Sequence, residues 1–266
     1  MMRQQNLSKT LWVVNVYMIK LKSSTDLEKM RQACKIAAMA LDTADRCIKI
    51  GISTFEIDMQ IKEVITSSGA IPSFKGYNGF PSNSCISIND EVIHGIPSKK
   101  RILQNGDIVS VDVGAFYKGF HGDCANTFMV GNVSDNAKRL IEITKQSFFE
   151  GISYAAPGYR IGDIGAAIDS FIAKNGFSTV KDFVGHGIGR ELHEDPPVPN
   201  YGKHGRGVRL EKGMTIAIEP MINEGEDKIF ILNDDWTVKT SDGKLSAHYE
   251  NTIHITANGC EILTEL

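Results

Sequence analysis

The sequence predicts an α+β domain built from two similar halves. Three observations carry that prediction. Periodicities run helix, helix, strands, then helix, helix, strands again, and not as the strand–helix alternation of a doubly wound sheet. The 266 residues are 42% hydrophobic, enough for one large core. No low-complexity segment or linker separates the halves, so residues 26–266 read as one catalytic domain. The matching halves suggest an internal duplication, although no sequence repeat proves it.

Residues 1–25 differ from the rest. Arg3, Lys9, Lys20 and Lys22 face no acid before Asp26. The apolar patch Leu11-Trp12-Val13-Val14 is broken by Asn15, and no small-residue cleavage site follows, so a secretory signal is not evident. The segment reads as a flexible leader, or as the product of a start assigned upstream of a true start at Met18. Thr25-x-x-Glu28 then has the form of a capping box, followed by Leu27, Met30, Cys34, Ala37, Ala38 and Leu41 at helical spacing up to about Gly51. Ser53-x-x-Glu56 opens a second helix, with Ile57, Ile61 and Ile65 inward and Gly69 at its end. Two more helices are expected near 134–155 and 161–175. Strands are expected over Ser84–Ile88, Ile108–Phe116, Phe120–Val130, Thr215–Ile218, Trp236–Thr240 and Ser246–Ile255, each β-branched or aromatic and bounded by Gly, Asn or Asp.

Composition removes whole classes of function. A formal charge of −3 lacks the basic excess of a dedicated nucleic-acid binder. No apolar run reaches the roughly 18 to 20 residues that span a bilayer. Five cysteines, an odd number without a C-x-x-C pair, fit a reducing cytoplasmic setting better than a disulfide framework.

Chemistry is concentrated in four stretches. In Gly106 to Asp123, a hairpin centred on Tyr117-Lys118 would set Asp112 directly opposite Asp123. Two facing carboxylates in an apolar strand repel and are costly to desolvate, unless one is protonated or a cation lies between them. In Phe183-Val-Gly-His186-Gly-Ile-Gly-Arg190-Glu-Leu-His193, a histidine is wrapped in glycines. The G-x-G-x-G spacing lacks the G-x-x-G end of a dinucleotide fingerprint, and Pro196 and Pro197 break any zinc-binding helix after His193. Glu219-Pro220 and Glu250 each close or interrupt an apolar strand. Singly, each residue has a bland structural reading. Jointly, Asp112, Asp123, His186, Glu219 and Glu250 supply four carboxylates and one imidazole. That donor set suits two divalent ions such as Mn, Fe, Co or Zn, whose charge cancels that of the four acids. A metal pair about 3.5–4 Å apart activates water and polarises a carbonyl, which points to hydrolysis.

These residues, with Gly76-Tyr-x-Gly-Phe-Pro-x-x-x-Cys-Ile-Ser-Ile-Asn89, His94-Gly-Ile-Pro97, His121-Gly-Asp123, Gly185 to Arg190, His193-Glu194, Ile218-Glu-Pro220 and Trp236 to Thr240, resemble type I methionine aminopeptidases. The resemblance runs from about Ile19 to Leu266. It implies the pita-bread fold, with two related halves, antiparallel sheet inside and helices outside. It implies that Asp112 chelates one ion, His186 and Glu219 the other, and that Asp123 and Glu250 bridge. It makes Glu219 the proton shuttle, sets His193 to steady the carbonyl oxygen and places His94 against the scissile amide. The methionine pocket is expected from Tyr77, Phe80, Cys85, Leu192 and Trp236, with a narrow next subsite for a small second residue. A monovalent cation is expected near Asn89, Glu91 and Ser246. Phe80 stands where the family commonly has a tyrosine and Leu192 where it commonly has an aromatic residue, and His248 stands two residues before Glu250.

The implied activity is removal of initiator methionine from nascent polypeptides by a monomeric cytoplasmic enzyme, with no membrane association. Basic clusters at Lys99-Lys100-Arg101 and at Lys203, Arg206, Arg209 and Lys212 could touch ribosomal RNA near the exit tunnel, or form an ordinary solvated face. A proline-directed peptidase of the same fold and a metal-free binding module are the competing readings.

Overall fold

The computed structural model describes residues 18–266. Residues 1–17, where most of the expected leader falls, lie outside the described residues. The rest of that expected leader is fastened down. Ile19 packs against the core, the Lys22 amide donates to the Gly213 carbonyl at 2.8 Å, and the Lys22 ammonium meets Glu194 at 2.6 Å. The ordered body therefore reaches back before residue 26.

The first half contributes helices α1 (Ser24–Cys47) and α2 (Thr54–Ser67) and strands β1 (Ile71–Pro72), β2 (Cys85–Ile88), β3 (Glu91–Ile93), β4 (Ile108–Tyr117) and β5 (Phe120–Met129). The second contributes α3 (Asp135–Ile152), α4 (Ile161–Lys174), β6 (Ser178–Thr179), β7 (Gly185–Gly187), β8 (Glu194–Val198), β9 (Thr215–Ile218), β10 (Met221–Asn223), β11 (Ile229–Ile231), β12 (Val238–Thr240), β13 (Ser246–His248), β14 (Glu250–Ile255) and β15 (Cys260–Ile262). All four expected helices form. Helix α1 starts earlier than Thr25-x-x-Glu28 suggested, because Ser23 and Asp26 make the capping box. Lys22 is already tied to Gly213, so the chain can turn into the helix at once. Ser53 and Glu56 cap α2 as expected.

The main sheet runs β1-β4-β5-β14-β9-β7-β8, with β2 on β4 and β15 on β14, and its pairings are antiparallel. The halves join where β5 pairs β14. Helix α1 lies on the back of this sheet. Gly122 is what admits it, since a Cβ there would come within 2.5 Å of the Cys34 backbone. Ile57, Ile61, Val109, Val111 and Val113 fill the first half's core, and Leu140, Phe148, Ile164, Ile168, Ile216 and Ile253 the second's.

Two sequence expectations are corrected by register. The β4–β5 turn is Lys118-Gly119, not Tyr117-Lys118. Both residues are left-handed (φ +51° and +83°), the backbone that a two-residue hairpin of this twist needs. Asp112 therefore pairs with Ala125, and Asp123 with Gly114. The two aspartates share a face diagonally instead of standing opposite. The expected strand Ser246–Ile255 is two strands. Pro220 has no N–H to give the ladder, and Tyr249 falls at its level, so β13 pairs β10 in a separate sheet while β14 stays in the main one.

Candidate metal centre

One row of residues crosses the sheet at a single level. Asp112 pairs Ala125, and Ala125 pairs Glu250. The β14–β9 register, which sets Asn251 against Ile218, brings Glu219 to the level of Glu250. Asp123 is two residues from Ala125. His186 pairs Ala217, which is two residues from Glu219. Side chains alternate with period two, so all five donors emerge on the same face. The direct opposition anticipated for Asp112 and Asp123 exists, but between Glu219 and Glu250. The fold thus brings together every metal-ligating residue expected from the sequence.

The donors are close and poorly answered. Ligand atoms of Asp123, His186 and Glu250 lie within 4.8 Å of one another, as do those of Glu219, His248 and Glu250. His186 Nε2 is 3.6 Å from Glu219 Oε1. Its Nδ1 is 2.9 Å from the Gly187 carbonyl, which fixes the proton on Nδ1 and leaves the Nε2 lone pair facing the acids. Among the described residues, seven buried side-chain nitrogen or oxygen atoms lack a hydrogen-bond partner. Four of the seven belong to Asp112, Asp123, His248 and Glu250, all at this one place. Buried polar atoms are nearly always satisfied, so a cluster of orphans calls for a missing cation.

The electrostatics agree. Burial pushes the Asp112 carboxyl up to about 7. Burial, reinforced by the neighbouring acids, drives Asp123, Glu219 and Glu250 well above the carboxylate range. Burial pulls His186 and His248 down to about 3, so neither imidazole is charged near neutrality. Four crowded acids therefore have no protein cation to neutralise them. Divalent ions held by these carboxylates and imidazoles fit the donor set.

A cavity of about 230 Å³ opens over the acids. Tyr77, Phe80, Cys85, Leu192 and Trp236 line it, as expected from the sequence, together with His94 and His193. Phe80 and Trp236 meet edge to face at 5.1 Å. Cys85 enters because it pairs Asp112 across β2–β4. Phe74, Ile93 and Phe183 also line the cavity but were not singled out in the sequence. They lie in short apolar stretches whose facing depends on the fold. His193 Nδ1 sits 2.6 Å from the Tyr77 hydroxyl, and the His193 and His186 rings are 4.2 Å apart. His94 is held at φ +59°, a left-handed backbone uncommon for a non-glycine residue. Burial and the nearby His193 pull its imidazole down to about 4.

The expected monovalent-cation residues are drawn together but already have partners. Glu91 pairs with Arg101, and the Asn89 side chain bridges Asp107 and the Ile108 amide. The Ser246 hydroxyl donates to Asn223 at 2.9 Å and its amide to the Asn89 carbonyl. Among the described residues, the Arg101 guanidinium is what answers the Glu91 carboxylate. Arg101 is correspondingly turned inward, onto the Ile86 and Ile96 carbonyls, and leaves the basic cluster it was counted in.

The sequence profile of metallopeptidase family M24 matches residues 28–257. A methionine aminopeptidase of Clostridium acetobutylicum is 51% identical over 247 residues, covering 93% of this chain and 99% of that relative. The chain belongs to the methionine aminopeptidases of metallopeptidase family M24. Methionine aminopeptidase 1 of Bacillus subtilis is 48% identical, covering 94% of this chain and 100% of its own. The crystal structure of a Thermotoga maritima methionine aminopeptidase superposes with a TM-score of 0.92 at 44% identity, over 94% of this chain and 100% of that one. A prolidase of Pyrococcus furiosus reaches a TM-score of 0.76 at 26% identity, over 92% of this chain and 65% of its own. The fold is therefore that of the M24 metallopeptidases, the pita-bread fold, and the protein is a metallopeptidase. No helix among the described residues is long and apolar enough to cross a membrane.

Proposed function

We propose that this enzyme removes N-terminal methionine from polypeptides with a small second residue, at a centre of two divalent ions (Mn, Fe, Co or Zn). The observation that carries the reading is the single sheet face on which five donors converge beneath an apolar, partly aromatic cavity. Higher identity to the methionine aminopeptidases than to the prolidase favours methionine over proline specificity.

Asp112, Asp123, His186, Glu219 and Glu250 would hold the ions, which when bound would supply an activated water and polarise the scissile carbonyl. Glu219 takes the proton of the attacking water and passes it to the leaving amine. Burial keeps the Tyr77 hydroxyl protonated. With the Tyr77 hydroxyl as donor to His193 Nδ1, the imidazole proton lies on Nε2, where it can be given to the developing oxyanion. His94 contacts the amide nitrogen. The substrate's free amine lies by Asp112 and so confines cleavage to the first bond. An unbranched thioether suits the lining of Tyr77, Phe80, Cys85, Leu192 and Trp236. The substrates are nascent-chain N-termini, met in the cytoplasm by a monomer. The exposed Lys203, Arg206, Arg209 and Lys212 are the surface that would meet ribosomal RNA. Salt-insensitive ribosome cosedimentation, or none, removes that contact.

The test is a peptide panel. Metal-reconstituted enzyme should cleave Met-Ala-x and leave Leu-Ala-x and x-Pro peptides intact. Preferential cleavage of x-Pro would transfer the protein to the prolidase side of the family.

A further inference from the structure

The donor set expected from the sequence has one imidazole, yet a second reaches the same carboxylates. His248 Nε2 lies 3.7 Å from Glu219 Oε2 and 3.9 Å from Glu250 Oε2. His186 Nε2 faces the other oxygen, Oε1, of Glu219. Glu219 is thus flanked by two imidazoles, one at each oxygen. His248 is only 2% exposed, and its Nε2 has no hydrogen-bond partner. Both separations exceed a hydrogen bond. They are close to the spacing of two donors on one ion, roughly 3.4 Å for donors at about 2.1 Å in a tetrahedral arrangement.

The placement is fixed by the backbone. His248 ends β13 and pairs Met221. Its amide donates to Thr127 Oγ1 at 2.9 Å, and the same hydroxyl donates back to its carbonyl at 2.8 Å. His248 does not line the substrate cavity. It approaches Glu219 and Glu250 from the β10–β13 side, where a bound peptide would not displace it.

We propose that His248 is a sixth protein ligand of the centre, its Nε2 joining Glu219 and Glu250 on the ion that His186 also binds. The proposal rests on the reading of this site as a divalent-metal centre. A second imidazole makes that position softer, which favours Zn, Fe or Co over Mn or Mg.

The test uses the full chain loaded with two equivalents of zinc. X-ray absorption should count about one imidazole per ion, because two histidines serve two ions, and about half of that in His248→Gln. Zinc-against-manganese competition should show the variant losing roughly tenfold or more of its preference for zinc. The same imidazole count and preference in both proteins would overturn the proposal. If His248→Gln fails to fold, a crystal structure of the zinc-loaded wild type decides. His248 Nε2 within about 2.3 Å of an ion supports ligation, and a separation beyond about 3 Å excludes it. A wild type that takes up no zinc would refute the metal-centre reading itself, a different outcome from zinc bound without His248.

Discussion

Replacing Glu250 by glutamine should stabilise the metal-free protein while weakening its hold on metal. Glu250 is 3% exposed, and one of its oxygens has no hydrogen-bond partner. Its ligand oxygen lies within 4.8 Å of that of Glu219. Two unit charges at that separation repel by about 3.5 kcal/mol at an effective dielectric of about 20. Burial already makes these acids retain protons, so only part of that repulsion acts near pH 7.5. A relief of about 1–2 kcal/mol is expected, or roughly 2–8 °C in Tm for a chain of this size. Glutamine is isosteric, so no cavity opposes the gain. The assay is differential scanning calorimetry of metal-stripped wild type and Glu250→Gln, with and without Co(II). At metal concentrations about 100-fold above Kd the wild type gains about 2.7 kcal/mol and should overtake the variant. A metal-free variant less stable than wild type, with an unchanged metal-induced shift, would refute the picture of crowded acids awaiting cations.

Three other perturbations test neighbouring parts of the structure. Lys22→Met strands the buried Glu194 carboxylate and should cost about 3–5 kcal/mol in denaturant unfolding. Burial lowers the Lys22 ammonium in spite of its partner, so Lys22→Met/Glu194→Gln should recover most of that loss. Tyr77→Phe removes the 2.6 Å contact to His193 and should slow turnover roughly two- to tenfold with metal uptake unchanged, the range for one neutral hydrogen bond. Above about pH 7.5 an unfolded imidazole is largely neutral, as are the buried His94, His121, His186 and His248 of the folded chain, whereas Asp123, Glu219 and Glu250, and in part Asp112 (about 7), still carry protons only when folded. The folded state binds more protons there, so metal-free stability should fall from pH 7.5 to 9. Metal-loaded protein, with its carboxylates deprotonated, should show little such slope in a pH series of melts.

The helices were legible in the sequence because local signals decide them. Ser53 and Glu56 cap α2, and Ile57, Ile61 and Ile65 face inward at helical spacing. The five donors were legible because acids in apolar strands conflict with their surroundings. Register was less so. A shift of one residue at Lys118-Gly119 changes which residues oppose, and only the left-handed backbone of the turn settles it. Short strands such as β7 and β10 carry too few residues for periodicity to reveal. His248 was visible as a residue near Glu250. Its approach to Glu219 depends on the break at Pro220 and Tyr249, which is a property of two sheets meeting. The seat of Lys22 against Glu194 joins residues 172 apart in sequence, and no local pattern marks it.

A single titration addresses the central claim most directly: divalent metal added to the stripped enzyme, with bound ions and Met-Ala-x hydrolysis followed together. Cleavage should be absent without metal, rise as ions bind, and disappear in Glu219→Gln at every metal concentration. Full turnover by the stripped protein, or by Glu219→Gln, would contradict the assignment of those buried carboxylates to metal-assisted peptide hydrolysis.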